Sequence, residues 1–250
     1  MKAMVLAAGL GTRLHPLTND RPKALVEVAG RTLLEITLTR LRAFGIREVI
    51  VNVHHFADMV VDFLAANNNF GMRIEISRED ELLDTGGGLK KAAWFFLEDK
   101  PEREEPFLVH NVDVLSTVDL ARMVQFHRQS NALATLATQH RPTSRPLLFD
   151  RQGQFHGRAP KPASSNPSPQ PAPACEELAF AGIHIVSTGI FAKMHEQGAF
   201  SIIDAYIRLA AQGESITAFP ANEFYWRDLG RPENIVQAEQ DVDMGIYPHD

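Results

Sequence analysis

Short apolar runs alternate with longer segments of helical period along this chain, and that alternation restricts the fold more than any other feature. AMVLAA (3–8), EVIVNVH (48–54), RIEIS (73–77), PFLVHNV (106–112), ALATLAT (132–138) and LAFAGIHIV (178–186) read as strands. Between them, TLLEITLTRLRAF (32–44), FADMVVDFLAAN (56–67), GGLKKAAWFFLE (87–98) and STVDLARMVQFHRQ (116–129) set apolar side chains at helical spacing. The resulting β/α/β/α/β/α/β order predicts an α/β fold with a Rossmann-like, mixed and mostly parallel sheet flanked by helices. LLFDRQGQFHG (147–157) reads as a hairpin around Gln152-Gly153, so antiparallel strands are expected late in the sheet.

At 250 residues and 44% hydrophobic, the chain can bury a sizeable core, and one domain spanning 1–250 is expected. APKPASSNPSPQPAPA (159–174) holds six of the fifteen prolines and almost no large apolar residue, which predicts a flexible loop within that domain. A net charge of −6 without any basic run argues against a nucleic-acid partner. The apolar start MKAMVLAAGL breaks at Gly9 and Gly11, and no run reaches the ~18 residues of a membrane span, so no membrane partner is expected. Cys175 is the only cysteine, which excludes an internal disulfide and fits a reducing cytoplasm. A monomer or small homo-oligomer is expected.

LAAGLGTRLHPLTNDRPKAL (6–25) follows the first strand and fails two phosphate-loop templates. A Walker A loop needs GxxxxGK[ST], and five residues after Gly9 stands Leu14. A dinucleotide fingerprint needs a third glycine where Leu14 stands, and a helix that His15-Pro16 and Arg21-Pro22 interrupt. What remains is a long, backbone-rich loop. Its glycines let main-chain N–H groups approach phosphate oxygens, while Arg13 supplies a fork and Lys23 a point charge.

The stretch LAAGLGTRLHPLTNDRPKALVEVAG resembles the signature of sugar-1-phosphate nucleotidyltransferases, LAAGxGTRLxPLT followed by a KPL-like stretch, with alanine replacing proline after Lys23. The likeness continues at DELLDTGGGLKKA (80–92), HNVDVL (110–115), FAGIHIV (180–186) and WRDLGRPENI (226–235). Among subfamilies, the compact length, the TGGG stretch and the WxDxG ending are most similar to bacterial N-acetylmuramate-1-phosphate uridylyltransferases of cell-wall recycling. Mannose- and heptose-1-phosphate guanylyltransferases are also similar.

The resemblance implies a glycosyltransferase-A-like fold and an enzyme that joins an NTP, UTP being favoured, to a sugar 1-phosphate with release of pyrophosphate. It implies that Ala7, Ala8, Gly9, Gly11, Thr12, Arg13 and Lys23 hold the nucleotide's phosphates, Arg13 and Lys23 being catalytic. Glu79, Thr85, Gly86 and Gly87 would edge the base, Asn111 and Gly182 would meet the sugar, and Asp113 with Asp228 would bind Mg²⁺. No general base is required, because the attacking phosphate oxygen is already ionised at pH 7. The Glu-Lys-Pro stretch that contacts the sugar in many relatives is missing, with Arg158 and Lys161 as candidate stand-ins. His54, His55 and His110 lack zinc spacing and read as strand-edge residues. No hexapeptide repeat follows residue 241, so the transferase alone is expected, and a catalytically silent sugar-nucleotide sensor is the rival from another class.

Overall fold

The computed structural model describes residues 1–98, 105–160 and 175–248. Its strands are β1 (Ala3–Leu6), β2 (Glu27–Val28), β3 (Arg31–Thr32), β4 (Glu48–Val53), β5 (Arg73–Arg78), β6 (Pro106–Asn111), β7 (Val114–Ser116), β8 (Ala134–Gln139), β9 (Leu147–Phe149), β10 (Phe155–Arg158), β11 (Glu176–Ser187), β12 (Ile216–Pro220) and β13 (Trp226–Asp228). The helices are α1 (Leu33–Ala43), α2 (Ala57–Ala66), α3 (Asp84–Lys91), α4 (Ala93–Leu97), α5 (Leu120–Ser130), α6 (Ile190–Lys193), α7 (Ile202–Ala211) and α8 (Pro232–Asp243).

β5, β4, β1 and β6 lie side by side and parallel, with Val5 level with Val51 on one side and His110 on the other. β11 joins antiparallel to β6, β8 antiparallel to β11, and β12 parallel to β8. The strands β8 and β12 therefore point the same way as β1, β4, β5 and β6, and their carboxyl ends share one edge of the sheet. The β9–β10 hairpin attaches to the first residues of β11, where the sequence predicts late antiparallel strands. The mixed, mostly parallel sheet flanked by helices is borne out.

Both faces of this sheet are buried, which is why its strands read as nearly continuous apolar runs. Ala3, Val5, Val49, Val51 and Leu108 pack on one side with Leu34, Leu38 and Leu41 of α1. Met4, Ile50, Phe107 and Val109 face the other side, with Leu89, Phe95, Phe96 and Tyr206. Helix starts follow local capping: Thr32 Oγ1 accepts from Glu35 N at 3.1 Å, and Asp119 Oδ1 from Arg122 N at 3.0 Å.

Several elements differ from the sequence reading. The segment expected as one helix from 87 to 98 starts at Asp84 and breaks at Ala92 into α3 and α4. The helix expected from 116 starts after the Asp119 cap, because Val114–Ser116 pairs with β13 instead. Helices α7 and α8 and strand β12 follow the last strand read from the sequence. Of the proline-rich segment 159–174, only Ala159 and Pro160 are described; the rest, with Lys161, lies outside the described residues. Among the described residues no helix is long and apolar enough to cross a membrane.

Candidate active site

The chain leaves β1 at the shared carboxyl edge, where ligands of open α/β sheets collect. Ala7 N donates to Asn52 Oδ1 at 2.8 Å, which turns the start of the loop across the end of β4. Gly9 has nothing within 4 Å of where a Cβ would stand, so its backbone is open. Gly11 has φ +67°, and a Cβ there would lie 2.9 Å from Thr18 Cγ2. Only glycine tolerates that turn, which Thr18 Oγ1 closes by donating to the Gly11 carbonyl at 2.9 Å. Thr12 and Arg13 are exposed beyond it.

Lys23, Asp113 and Asp228 meet where the ends of β6 and β13 converge. Lys23 Nζ donates to Asp113 Oδ2 in a direct ion pair, with the side chains only 11% and 15% exposed. β13 pairs antiparallel with β7, setting Asp228 opposite Val114, and Leu229 N donates to the Asp113 carbonyl at 2.7 Å. Two aspartates far apart in sequence thus become backbone neighbours. Gly230 N holds Asp228 Oδ1 at 2.8 Å. A Cβ on Gly230 would meet Asp228 Oδ1 at 2.7 Å and Arg13 Nη2 at 2.8 Å, so the Arg13 guanidinium lies beside the same carboxylate. On the opposite side of β13, Arg227 Nε donates to Asp241 Oδ2 at 2.8 Å and fastens the strand to α8.

Glu79, Gly86 and Gly87 are all engaged in contacts within the fold. Glu79 is buried: its Oε1 accepts from Asn52 Nδ2 at 2.7 Å and its Oε2 from Leu83 N at 2.9 Å. A carboxylate committed to two internal donors is a brace between β4, β5 and α3. Gly86 and Gly87 lie in the first turns of α3. A Cβ on Gly86 would lie 2.4 Å from Phe200 Cε2, and one on Gly87 2.4 Å from the Gly198 carbonyl oxygen. Their bareness serves close packing against residues 198–200. Thr85 does reach the site, its Oγ1 accepting from Ile202 N at 3.0 Å.

A cavity of about 430 Å³ is lined by Ala7, Ala8, Gly9, Lys23, Asn52, Thr85, Asn111 and Asp113. A second, of about 820 Å³, shares Leu6, Asp84, Thr85 and Asn111 with it and continues past Arg145, Arg158, Glu177 and Asp204. Asn111 therefore stands where the two join. Gly182, at φ +73°, lines neither; a Cβ there would come within 2.9 Å of Asn111 Nδ2, so this glycine lets β11 close upon Asn111. Arg158 ion-pairs with Asp204 at 3.6 Å inside the larger cavity.

His110 is a core residue and not an edge one. Burial, reinforced by the Arg40 guanidinium, pulls its pKa down to about 3, so the ring is neutral. Sequence reasoning misses Asn52, Gly230 and the larger cavity's polar wall. Asn52 carries a signal, being the one polar residue inside the apolar run EVIVNV.

Open backbone at a strand end, a lysine–aspartate ion pair, a second aspartate on the adjoining strand and two adjoining cavities fit a nucleotide-handling α/β enzyme. The chain belongs to the nucleotidyl transferase family, whose model matches residues 2–244. It is 37% identical to an N-acetylmuramate α-1-phosphate uridylyltransferase of Caulobacter vibrioides, over 95% of each chain. It is 29% identical to a mannose-1-phosphate guanylyltransferase of Mycobacterium tuberculosis, over 98% of this chain and 66% of that protein. Among solved structures, HddC of Yersinia pseudotuberculosis in complex with GMP-PN superposes with a TM-score of 0.74 at 22% identity, covering 96% of this chain and 99% of the other. The UDP-glucose pyrophosphorylase of Acinetobacter baumanii gives 0.78 at 20%, covering 99% and 94%. Sugar-1-phosphate nucleotidyl transfer, the reaction class read from the sequence, is borne out.

Proposed function

We propose that this protein, acting as a single domain, transfers uridylyl from UTP to N-acetylmuramate 1-phosphate in the cytoplasm, as a step of cell-wall recycling. The Lys23–Asp113 ion pair on the wall of the smaller cavity, with Asp228 on the strand next to Asp113, is the observation that carries the reading of the site. The 37% identity to an N-acetylmuramate α-1-phosphate uridylyltransferase supports the choice of nucleotide and sugar.

In this reading the smaller cavity takes the nucleotide and the larger the sugar. An ionised oxygen of the sugar 1-phosphate attacks the α-phosphorus in line. One new P–O bond forms, the bond to the β-phosphate's bridging oxygen breaks, and pyrophosphate leaves with its charge. Ala7, Ala8, Gly9, Gly11 and Thr12 present main chain to the phosphates. Arg13 and Lys23 neutralise the charge that crowds together, which in a site of low dielectric is the largest contribution a protein can make. Asn111 and Thr85, at the junction, orient the sugar phosphate and the nucleoside.

Asp113 and Asp228 would hold Mg²⁺. Among the described residues no group of three or more His, Cys, Asp or Glu side chains is placed to hold a metal ion. Two carboxylates fit a hard cation that keeps several waters and takes its remaining oxygens from substrate phosphates. When bound, Mg²⁺ supplies positive charge to phosphate oxygens.

The test is pyrophosphate release, measured across the common NTPs and a panel of sugar 1-phosphates with Mg²⁺. UTP with N-acetylmuramate 1-phosphate is expected to give the highest kcat/KM. A GTP preference with mannose or heptose 1-phosphate moves the protein to guanylyl transfer, and no release from any pair leaves the sensor reading.

A further inference from the structure

The loop after β8 hangs over the same sheet edge as the phosphate loop, and its Thr143, Ser144 and Arg145 line the larger cavity. Arg141, at its start, is held on two sides. Its Nη2 donates to the Phe180 carbonyl at 2.8 Å, and its guanidinium carbon lies 3.5 Å from the ring centroid of Trp226. Trp226 is itself pinned, Nε1 donating to the Ala181 carbonyl at 2.8 Å. Phe180 borders the larger cavity, while Trp226 and Asp228 point to the same side of β13 because strand side chains alternate. Arg141 thus spans the gap between the sugar chamber and the carboxylate assigned to the metal.

Its charge has no direct anionic partner. Among the described residues its buried Nε has no hydrogen-bond acceptor and no acidic side chain ion-pairs with it. Burial pulls its pKa down, and the attraction that pushes it back up comes from Asp228. A half-buried cation with an unsatisfied donor and no ion pair is costly, and an anionic ligand would complete it. The neighbouring cations are differently placed: Lys23 is engaged by Asp113, Arg158 by Asp204, and Arg145 is exposed on the chamber wall.

We infer that Arg141 is a further catalytic residue, the fixed cation that receives the 1-phosphate of the acceptor sugar and holds its attacking oxygen toward the nucleotide. The inference rests on the nucleotidyl-transfer reading of the site. The acceptor's sugar occupies the larger chamber while its phosphate reaches the Asp228 side, and Arg141 bonds the Phe180 carbonyl of the chamber wall and stacks on Trp226 of the strand that carries Asp228. The guanidinium plane, already set by Trp226 and Phe180, loses little freedom when it grips the anion.

The experiment is steady-state kinetics of the full chain with Mg²⁺, varying each substrate in turn, for wild type, Arg141→Gln and Arg141→Lys. With Gln, kcat/KM for the sugar 1-phosphate falls about 10²-fold or more, as when one charge-stabilising donor is removed. The KM for the nucleotide stays within about twofold, and Lys recovers about tenfold of the loss, because charge returns without the fork. If Gln fails to fold, the Lys variant carries the test: it raises the KM for the sugar phosphate alone. An unchanged sugar-phosphate KM in either variant, or equal rises in both KM values, overturns the inference. A wild type that turns over no pair of NTP and sugar 1-phosphate overturns the underlying reading instead.

Discussion

Lys23 and Asp113 are opposite charges held in contact at the wall of the smaller cavity, so the loss of either is felt twice. Lys23→Ala removes a phosphate-facing cation and leaves a carboxylate that is only 15% exposed without its partner. It should lower kcat/KM by at least ~10²-fold, and Arg13→Ala should do the same with the fold intact. Asp113→Asn and Asp228→Asn should each abolish most Mg²⁺-dependent turnover, and the double variant should be little worse than either, since groups that act as a unit are not additive. A Mg²⁺ titration of the three variants checks this; multiplicative losses with unchanged metal dependence would separate the two roles. Lys23 and Asp113 were legible in the sequence because each sits in a motif at a strand end. Gly230 was not, since its importance lies in two side chains, Arg13 and Asp228, that only the folded chain brings against it.

Helix α3 separates glycines that serve packing from glycines that serve a ligand. Gly86→Ala would set a methyl 2.4 Å from the Phe200 ring and 2.9 Å from its carbonyl oxygen, and a backbone oxygen cannot rotate away. Overpacking of this kind typically costs ~1–3 kcal/mol, so the variant should melt several degrees lower. Gly9→Ala meets nothing within 4 Å, so its melting temperature should hold while turnover falls, the new methyl standing where phosphate approaches the main chain. Thermal melts with kcat for both variants check the contrast, and the reverse pattern would contradict it. A run of three glycines cannot announce which kind it is, because Phe200 and Gly198 arrive from a distant segment. Glu79 is illegible for the same reason: its burial depends on Asn52 and Leu83. The strands β1, β4 and β6 were readable because both their faces are apolar, and β5 because its apolar residues alternate with polar ones, whereas β13 is three residues long and defined by its pairing with β7.

Across the whole molecule, the sheet carries two buried histidines on the neighbouring strands β6 and β11, His110 facing Arg40 of α1 and His184 facing Tyr206 of α7 on the other side. Burial, with Arg40 near His110 and His110 near His184, pulls both pKa values down to about 3. Unfolded, each titrates near 6.5, so below that pH the unfolded chain takes up protons that the native chain refuses. Their contribution is therefore complete above about pH 6.5 and is lost as pH falls toward 3, at about 2 kcal/mol per histidine by pH 5. Denaturant midpoints at pH 7, 6 and 5 should fall in that order, and His184→Asn should flatten the slope. The stability of the sheet matters to function because the loops and strands that carry the groups assigned to the reaction are anchored at its carboxyl edge. The most direct test of that assignment follows both substrates and products by ³¹P NMR, with purified protein, UTP, N-acetylmuramate 1-phosphate and Mg²⁺. The account predicts a new diphosphate diester and pyrophosphate growing in equal amounts as the two substrates disappear, and none of either with Lys23→Ala on the same timescale. Loss of UTP to monophosphate without a diester, or diester formation that survives Lys23→Ala undiminished, would contradict it.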